Sequence, residues 1–127
     1  MASASTPETL ILTPGQVDLA MLRRIHQHGG LRLALDPSVQ EGMARAEAAV
    51  RRIVENDQVV YGINTGFGKL ASTRIGHDHL ADLQCNLVLS HSVGTGESLA
   101  APVVRLVLAT KAVSLARGHS GVRPALV

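Results

Sequence analysis

The chain has 127 residues, enough for one modest domain, and 46% of them are hydrophobic, as in a folded protein with a core. Twelve Lys and Arg oppose ten Asp and Glu without clustering, and only two residues are aromatic, which argues against nucleic-acid binding. The single cysteine, Cys85, excludes an intrachain disulfide and favours a reducing compartment.

Neither end of the sequence predicts contact with a membrane. The N-terminal residues carry no basic and apolar regions of the kind that form a secretory signal. The most apolar run, Leu99–Ala109, is too short to cross a bilayer and contains Arg105. We therefore expect a soluble, cytoplasmic protein.

The N-terminal third predicts a leader, two strands and a helix. Residues 1–8 have the composition of a flexible leader, and residues 9–127 are expected to form the folded part. Leu10–Leu12 and Leu31–Leu35 are candidate strands because of their apolar or alternating pattern. Between them, Asp18 is placed to cap a helix that ends at a glycine pair.

Helical patterns dominate the rest of the chain. Asp36, followed by proline, is placed to begin a helix whose apolar residues recur every three or four positions from Val39 to Ile53. Asp78 is placed to cap a third helix. A fourth, from Pro102 to a terminating Gly118, is apolar nearly all round, which predicts burial on several sides against partners that so small a chain does not itself supply. The expected fold class is mainly α with two short N-terminal β-strands.

Three patterns that suggest a cofactor or metal site fail in their context. Gly66-Phe-Gly-Lys-Leu-Ala71 matches the glycine fingerprint of dinucleotide sites, but only a short strand candidate precedes it and no good helix opening follows. The phosphate-loop pattern fails because Leu70 stands where Ser or Thr is required. Two pairs of histidines have a spacing of two, which does not align ligands on a helix face, and we expect no metal site.

The most distinctive segment is Tyr61-Gly-Ile-Asn-Thr-Gly-Phe-Gly68, which places three glycines around the two aromatic residues of the chain. Glycine permits positive φ and close backbone approach, so this loop can hold a phenol hydroxyl in an exposed position. A plain glycine-rich turn anchored by the packing of Tyr61 is the alternative. His91 is similarly open: at the end of an apolar helical stripe it is either a core histidine or a side chain that enters a cleft.

The Tyr61–Gly68 segment resembles the tyrosine loop of the aromatic amino-acid ammonia-lyases, which carry a methylidene-imidazolone (MIO) prosthetic group. Leu83–Gly94 and Arg105–Gly121 resemble the next two blocks of that family, in the same order. The resemblance runs from about residue 9 to the C-terminus and implies the N-terminal segment of the helical ammonia-lyase fold. Ser90-His91 resembles the members that act on histidine, which implies conversion of L-histidine to trans-urocanate and ammonia.

The resemblance also implies roles for single residues. Tyr61 matches the mobile-loop tyrosine proposed as the catalytic base, and His91 matches the pocket histidine that holds and selects the substrate. Four further residues would support the loop without being catalytic: Gly62, Gly66, Phe67 and Gly68. Members of the family form homotetramers whose sites are shared between subunits.

One part of the family pattern is missing from this sequence. MIO forms from an Ala-Ser-Gly tripeptide, and the chain contains none. Residues 123–127 have the pattern of a helix that begins without a terminating signal, so we expect a chain truncated before that tripeptide and inactive alone. The alternatives are a tyrosine or phenylalanine ammonia-lyase or aminomutase of the same family, or a non-catalytic folding or assembly module.

Overall fold

The computed structural model describes residues 7–127, so most of the leader predicted at residues 1–8 lies outside the described residues. The regular elements are two strands and four helices: β1 (Thr9–Leu12), α1 (Leu19–Gln27), β2 (Arg32–Leu35), α2 (Val39–Glu55), α3 (Leu80–His91) and α4 (Ala101–Leu115). Short 3-10 turns lie at Gly68–Leu70, His77–His79 and Pro124–Leu126. The expected class, mainly α with two short N-terminal strands, is confirmed.

The chain forms two compact units. The first contains the residues up to Glu47 together with Ser98–Val127, and the second is Ala48–Glu97. The two strands belong to the first unit, whereas the tyrosine loop and α3 belong to the second.

In the first unit, β1 and β2 pair in parallel, with Leu10 opposite Leu33. Parallel strands need a crossover connection, and α1 lies in the connection between them. Successive side chains of a strand point to opposite faces, so Leu10 and Leu12 share one face and are buried. They pack with Ile25 of α1 and Ala109 of α4 to form the core of this unit.

Local signals begin and end several helices where the sequence predicts. The Asp18 carboxylate accepts a hydrogen bond from the Met21 N–H at 2.8 Å, as a capping residue does. Gly118 follows α4 with a φ of +73°, and its N–H bonds to the Leu115 carbonyl at 3.1 Å. A Cβ at Gly118 would lie 2.6 Å from the backbone carbon of Gly42, so glycine is required there for packing as well.

One expectation about the later helices is wrong. Asp78 does not cap α3, because it lies inside the 3-10 turn that precedes the helix and His79 occupies the capping position without a side-chain bond. Helix α4 lacks partners on most of its surface within residues 7–127: Ala109 is its single buried residue, while Leu108 is 64% exposed. None of the helices within residues 7–127 has both the length and the apolar character needed to cross a bilayer.

Candidate active site

The tyrosine loop is defined as residues 58–75, which make up most of the connection between α2 and the His77–His79 turn. Asn64 lies at its centre and is buried. The Asn64 Oδ1 accepts a bond from the Val60 N–H at 2.9 Å, and its Nδ2 donates to the Gln58 carbonyl at 2.7 Å. One side chain therefore fixes the backbone that leads into Tyr61.

The tyrosine loop is closed at its base by a short antiparallel bridge between Thr65 and Arg74. The Gly66 N–H donates to the Thr73 carbonyl at 2.9 Å, and the Ile75 N–H donates to the Asn64 carbonyl, also at 2.9 Å. Thr65 is almost fully buried at this bridge. The two backbone bonds hold the loop as a closed unit rather than as an open connection.

Glycines shape the loop at the positions that the sequence marks. Gly62 and Gly68 have φ values of +79° and +57°, a region that glycine adopts without the steric cost of a Cβ. Gly66 is required for a different reason, because a Cβ there would lie 2.6 Å from the Cβ of Leu70 and 2.7 Å from its carbonyl oxygen.

The side chain of Tyr61 lies on this loop and is exposed to solvent. It is 63% exposed, and the Phe67 ring contacts it edge-on, with centroids 5.8 Å apart and planes at 64°. Within residues 7–127, no group forms a hydrogen bond with the Tyr61 hydroxyl. The arrangement is therefore a supported ring with a phenol oxygen left available, and not a tyrosine buried as a packing anchor.

His91 is the last residue of α3 and is exposed, so it is not a core histidine within this chain. Its Nδ1 lies 2.9 Å from the Leu87 carbonyl oxygen and 3.0 Å from the Ser90 Oγ. A carbonyl oxygen can only accept, so a hydrogen bond to Leu87 requires the tautomer with its proton on Nδ1. In the neutral ring, Nε2 then remains as an acceptor for another molecule.

The structure brings some of the predicted residues together and leaves others apart. Tyr61, Phe67 and the three loop glycines form one cluster, whereas no hydrogen bond or ring contact joins Tyr61 to His91 within residues 7–127. No group of three or more His, Cys, Asp or Glu side chains in that part of the chain could hold a metal ion.

Asn64 has a structural task that the sequence motif alone does not reveal. Asn is favoured in turns because its amide bonds to nearby backbone groups, and that preference is the signal that points to it. The ion pair between Asp57 and Arg74 joins the residue just before the loop to a residue near the end of the loop, and no local sequence pattern predicts it.

The fold and the tyrosine loop define a member of a lyase family. The model of the aromatic amino acid lyase family matches residues 17–127, and the chain belongs to that family.

Individual relatives show which members of the family this chain is similar to. The histidine ammonia-lyase of Paracidovorax citrulli (strain AAC00-1) is 69% identical over 123 residues, which cover 97% of this chain and 24% of the relative. The crystal structure of histidine ammonia-lyase from Trypanosoma cruzi matches with a TM-score of 0.77 at 34% identity, over 92% of this chain and 23% of that one. Tyrosine aminomutase from Streptomyces globisporus matches with a TM-score of 0.78 at 27% identity, over 95% of this chain and 22% of that one. The chain thus spans about a quarter of the length of its relatives.

Proposed function

We propose that this chain supplies the catalytic base and a substrate-binding histidine to a histidine ammonia-lyase, which converts L-histidine into trans-urocanate and ammonia. The observation that carries the proposal is the exposed phenol of Tyr61 on a closed glycine loop, in a chain 69% identical to a histidine ammonia-lyase. The term full-length enzyme denotes a polypeptide in which this chain continues into the remaining length of those relatives.

Tyr61 is the base in this proposal. The elimination breaks a C–H bond at Cβ of histidine and the Cα–N bond, forms the Cα–Cβ double bond, and releases the amine as ammonia. The Tyr61 oxygen takes the Cβ proton in its phenolate form, a role that needs the oxygen open to the substrate. The exposed ring and the absence of a hydrogen bond to its hydroxyl within residues 7–127 support that role.

His91 holds the substrate in this proposal. With Nδ1 donating to the Leu87 carbonyl, Nε2 is an acceptor that suits an N–H of the substrate imidazole. Such a contact selects for histidine, because a site built around a polar partner discriminates against a substrate that leaves it unpaired. Gly62, Gly66, Phe67 and Gly68 support the loop and take no part in the chemistry.

The resemblance extends the proposal to the MIO group and to a cytoplasmic homotetramer. The residues of this chain do not fit the group, because MIO forms from an Ala-Ser-Gly tripeptide and the sequence contains none. A complete enzyme would form it outside residues 1–127, and no step proposed for this chain runs through it.

The experiment is to follow urocanate by its ultraviolet absorbance in the full-length enzyme and in its Tyr61→Phe variant. This substitution removes one oxygen and keeps the ring that packs against Phe67. Loss of a general base lowers kcat by about 100- to 10,000-fold. Phe67→Leu is the matched control, which disturbs the ring contact and keeps the oxygen. A Tyr61→Phe enzyme as fast as its parent would refute the proposal.

A second candidate, a tyrosine-specific lyase or aminomutase, is favoured by the structural match to tyrosine aminomutase at 27% identity. His91→Leu in the full-length enzyme separates the two. If His91 holds the imidazole, kcat/KM for L-histidine falls by at least about 10-fold while use of L-tyrosine does not fall with it. An unchanged ratio between the two substrates would remove histidine as the assigned substrate.

A further inference from the structure

The turn that follows helix α2 contains an aspartate, Asp57, whose backbone conformation favours glycine. Asp57 has a φ of +59° and is the one non-glycine residue with positive φ among residues 7–127. The Asp57 N–H bonds to the Val54 carbonyl at 3.1 Å, and the Gln58 N–H reaches back to the Ile53 carbonyl at 3.0 Å. These are the two bonds of a Schellman helix end, where the left-handed residue is usually glycine. Most side chains are disfavoured in this conformation, and Asn and Asp are the ones that occasionally adopt it. We therefore asked what the carboxylate of Asp57 contacts.

That carboxylate reaches across the base of the tyrosine loop. Asp57 Oδ2 forms an ion pair with Arg74 Nη2, and Asp57 Oδ1 lies 3.8 Å from His77 Nε2. Arg74 is the residue that pairs with Thr65 in the bridge closing the loop. The turn that follows α2 is therefore tied to the bridge that closes the loop.

We propose that Asp57 and Arg74 are positioning residues for Tyr61, whose ion pair holds the tyrosine loop closed so that the phenol oxygen stays where it can meet substrate. Only Gln58, Val59 and Val60 separate Asp57 from Tyr61, and the Asn64 amide bonds to the first and the last of these three residues. The inference rests on the proposed role of Tyr61 as a base. Neither Asp57 nor Arg74 touches the substrate.

Loss of the ion pair is expected to change how often the tyrosine loop opens, and not the stability of the whole chain. The side chains of Asp57 and Arg74 are 47% and 48% exposed, and ion pairs this exposed add little to global stability. Local opening of the bridge would instead expose the Gly66 and Ile75 amides, which the closed loop protects through their bonds to Thr73 and Asn64.

Two substitutions at Asp57 separate positioning from a purely structural task. Asp57→Asn keeps a residue type that tolerates the left-handed conformation and removes the charge. Asp57→Gly also removes the charge, and glycine adopts the left-handed conformation without steric cost. If Asp57 served only to end the helix, the tyrosine loop of this variant would be at least as well protected as that of the parent. Under the positioning proposal, both variants loosen the loop.

The first measurement is amide exchange by NMR in the isolated chain. We expect exchange at Gly66 and Ile75 to rise by about 3- to 5-fold in both Asp57 variants, as loss of a pair of this kind allows. The Asp36 amide, bonded to the Leu12 carbonyl in the first unit, is the internal control and should not change. An Asp57→Gly chain with unchanged protection at Gly66 and Ile75 would overturn the inference.

The second measurement is the steady-state kinetics of the full-length enzyme. We expect kcat to fall in Asp57→Asn and Arg74→Met with KM nearly unchanged, and Arg74→Lys to recover part of the loss because it keeps the charge. The double variant should be no slower than the slower single variant, since both remove the same interaction. Losses that multiply instead would overturn the inference.

Tyr61→Phe, measured beside these variants, distinguishes the two proposals. An inactive Tyr61→Phe enzyme with unaltered kcat and exchange in Asp57→Asn refutes the positioning role alone. An active Tyr61→Phe enzyme refutes the base, and the positioning role falls with it.

Discussion

At the scale of single residues, the tyrosine loop keeps its shape through positions with no proposed chemistry. Asn64 is buried with its amide bonded at both ends, to the Val60 N–H and the Gln58 carbonyl. Gly66 is buried where its backbone passes Leu70 too closely for any side chain. Tyr61 is exposed, whereas Asn64 and Gly66, which shape the loop around it, are buried.

Gly66→Ala tests this division of tasks. Its Cβ would lie 2.6 and 2.7 Å from atoms of Leu70, one of them in the backbone. Overpacking of this kind costs about 1–3 kcal/mol. Gly76→Ala is the matched control, because Gly76 has a φ of −64° and nothing within 4 Å of a new Cβ. Urea unfolding of the isolated chain should show a loss for Gly66→Ala and none for Gly76→Ala; equal effects would contradict the steric account.

Asp36 gives a prediction about pH. The Ser38 hydroxyl, then the Ser38 N–H, lower the pKa of Asp36 below its usual 3.8, with a smaller contribution from Thr13. A carboxyl with a lowered folded-state pKa stabilises the fold above its unfolded pKa, and that contribution disappears as the pH falls through the folded value. The difference in unfolding free energy between the parent and Asp36→Asn should therefore be present at neutral pH and vanish in strong acid.

The control for the pH prediction is Ser38→Ala, which removes the first cause of the lowered pKa. When Asp36→Asn is introduced into the Ser38→Ala chain, the pH-dependent part of its effect on the unfolding free energy should shrink. A difference that persists unchanged into strong acid would show that Asp36 acts through packing and not through its charge.

At the scale of the elements, the sequence predicts what neighbouring residues decide and misses what distant residues decide. Asp18 and Gly118 mark helix ends because capping is a matter of a few adjacent residues. Asp78 has the same local signal, but a 3-10 turn places the start of α3 beyond it. The parallel pairing of β1 with β2 depends on a crossover through α1, which no local pattern encodes.

The candidate site also has features that the local sequence predicts and others that depend on distant residues. The residues Tyr61 to Gly68 are visible as a motif because they are contiguous and unusual in composition. The bridge from Thr65 and the ion pair from Asp57 both lead to Arg74, which lies in a segment of ordinary sequence, so composition and spacing give no sign of either contact.

Arg105 is a second long-range contact, and it yields a prediction at the scale of the helix. From α4 its Nε donates to the Ile25 carbonyl at 3.2 Å and its Nη2 to the His26 carbonyl at 3.0 Å. Both carbonyls lie in the last turn of α1, where no helical partner remains for them. Arg105→Met should lower the free energy of unfolding by about 2 kcal/mol, the loss expected for charged hydrogen bonds that are partly exposed.

The matched control for Arg105→Met is Arg23→Met on the exposed face of α1. Arg23 forms no ion pair or hydrogen bond within residues 7–127, so its removal should change stability by less than about 0.5 kcal/mol. Both variants are compared by urea unfolding of the isolated chain. A cost for Arg105→Met no larger than for Arg23→Met would contradict the capping of α1 by α4.

At the scale of the whole molecule, much apolar surface remains open. Val107 and Leu108 on α4 are exposed, as are Val88 and Leu89 on α3. In the proposed tetramer, neighbouring subunits would cover exposed apolar side chains of this kind, because large exposed apolar patches mark sites of interaction in soluble proteins. Such contacts would supply the burial that the apolar pattern of α4 predicts and that residues 7–127 alone do not provide.

Activity should depend on residues outside this chain, because the proposed site is divided. In the proposed function Tyr61 is the base for the Cβ proton, but this sequence contains no Ala-Ser-Gly from which MIO forms. The isolated chain incubated with L-histidine should therefore give no urocanate above a protein-free blank. The full-length enzyme at equal molar concentration is the positive control, and its Tyr61→Phe variant is the negative one. Sustained urocanate from the isolated chain would mean that its own residues can expel the amine, because a base alone removes the proton without providing a path for the nitrogen to leave.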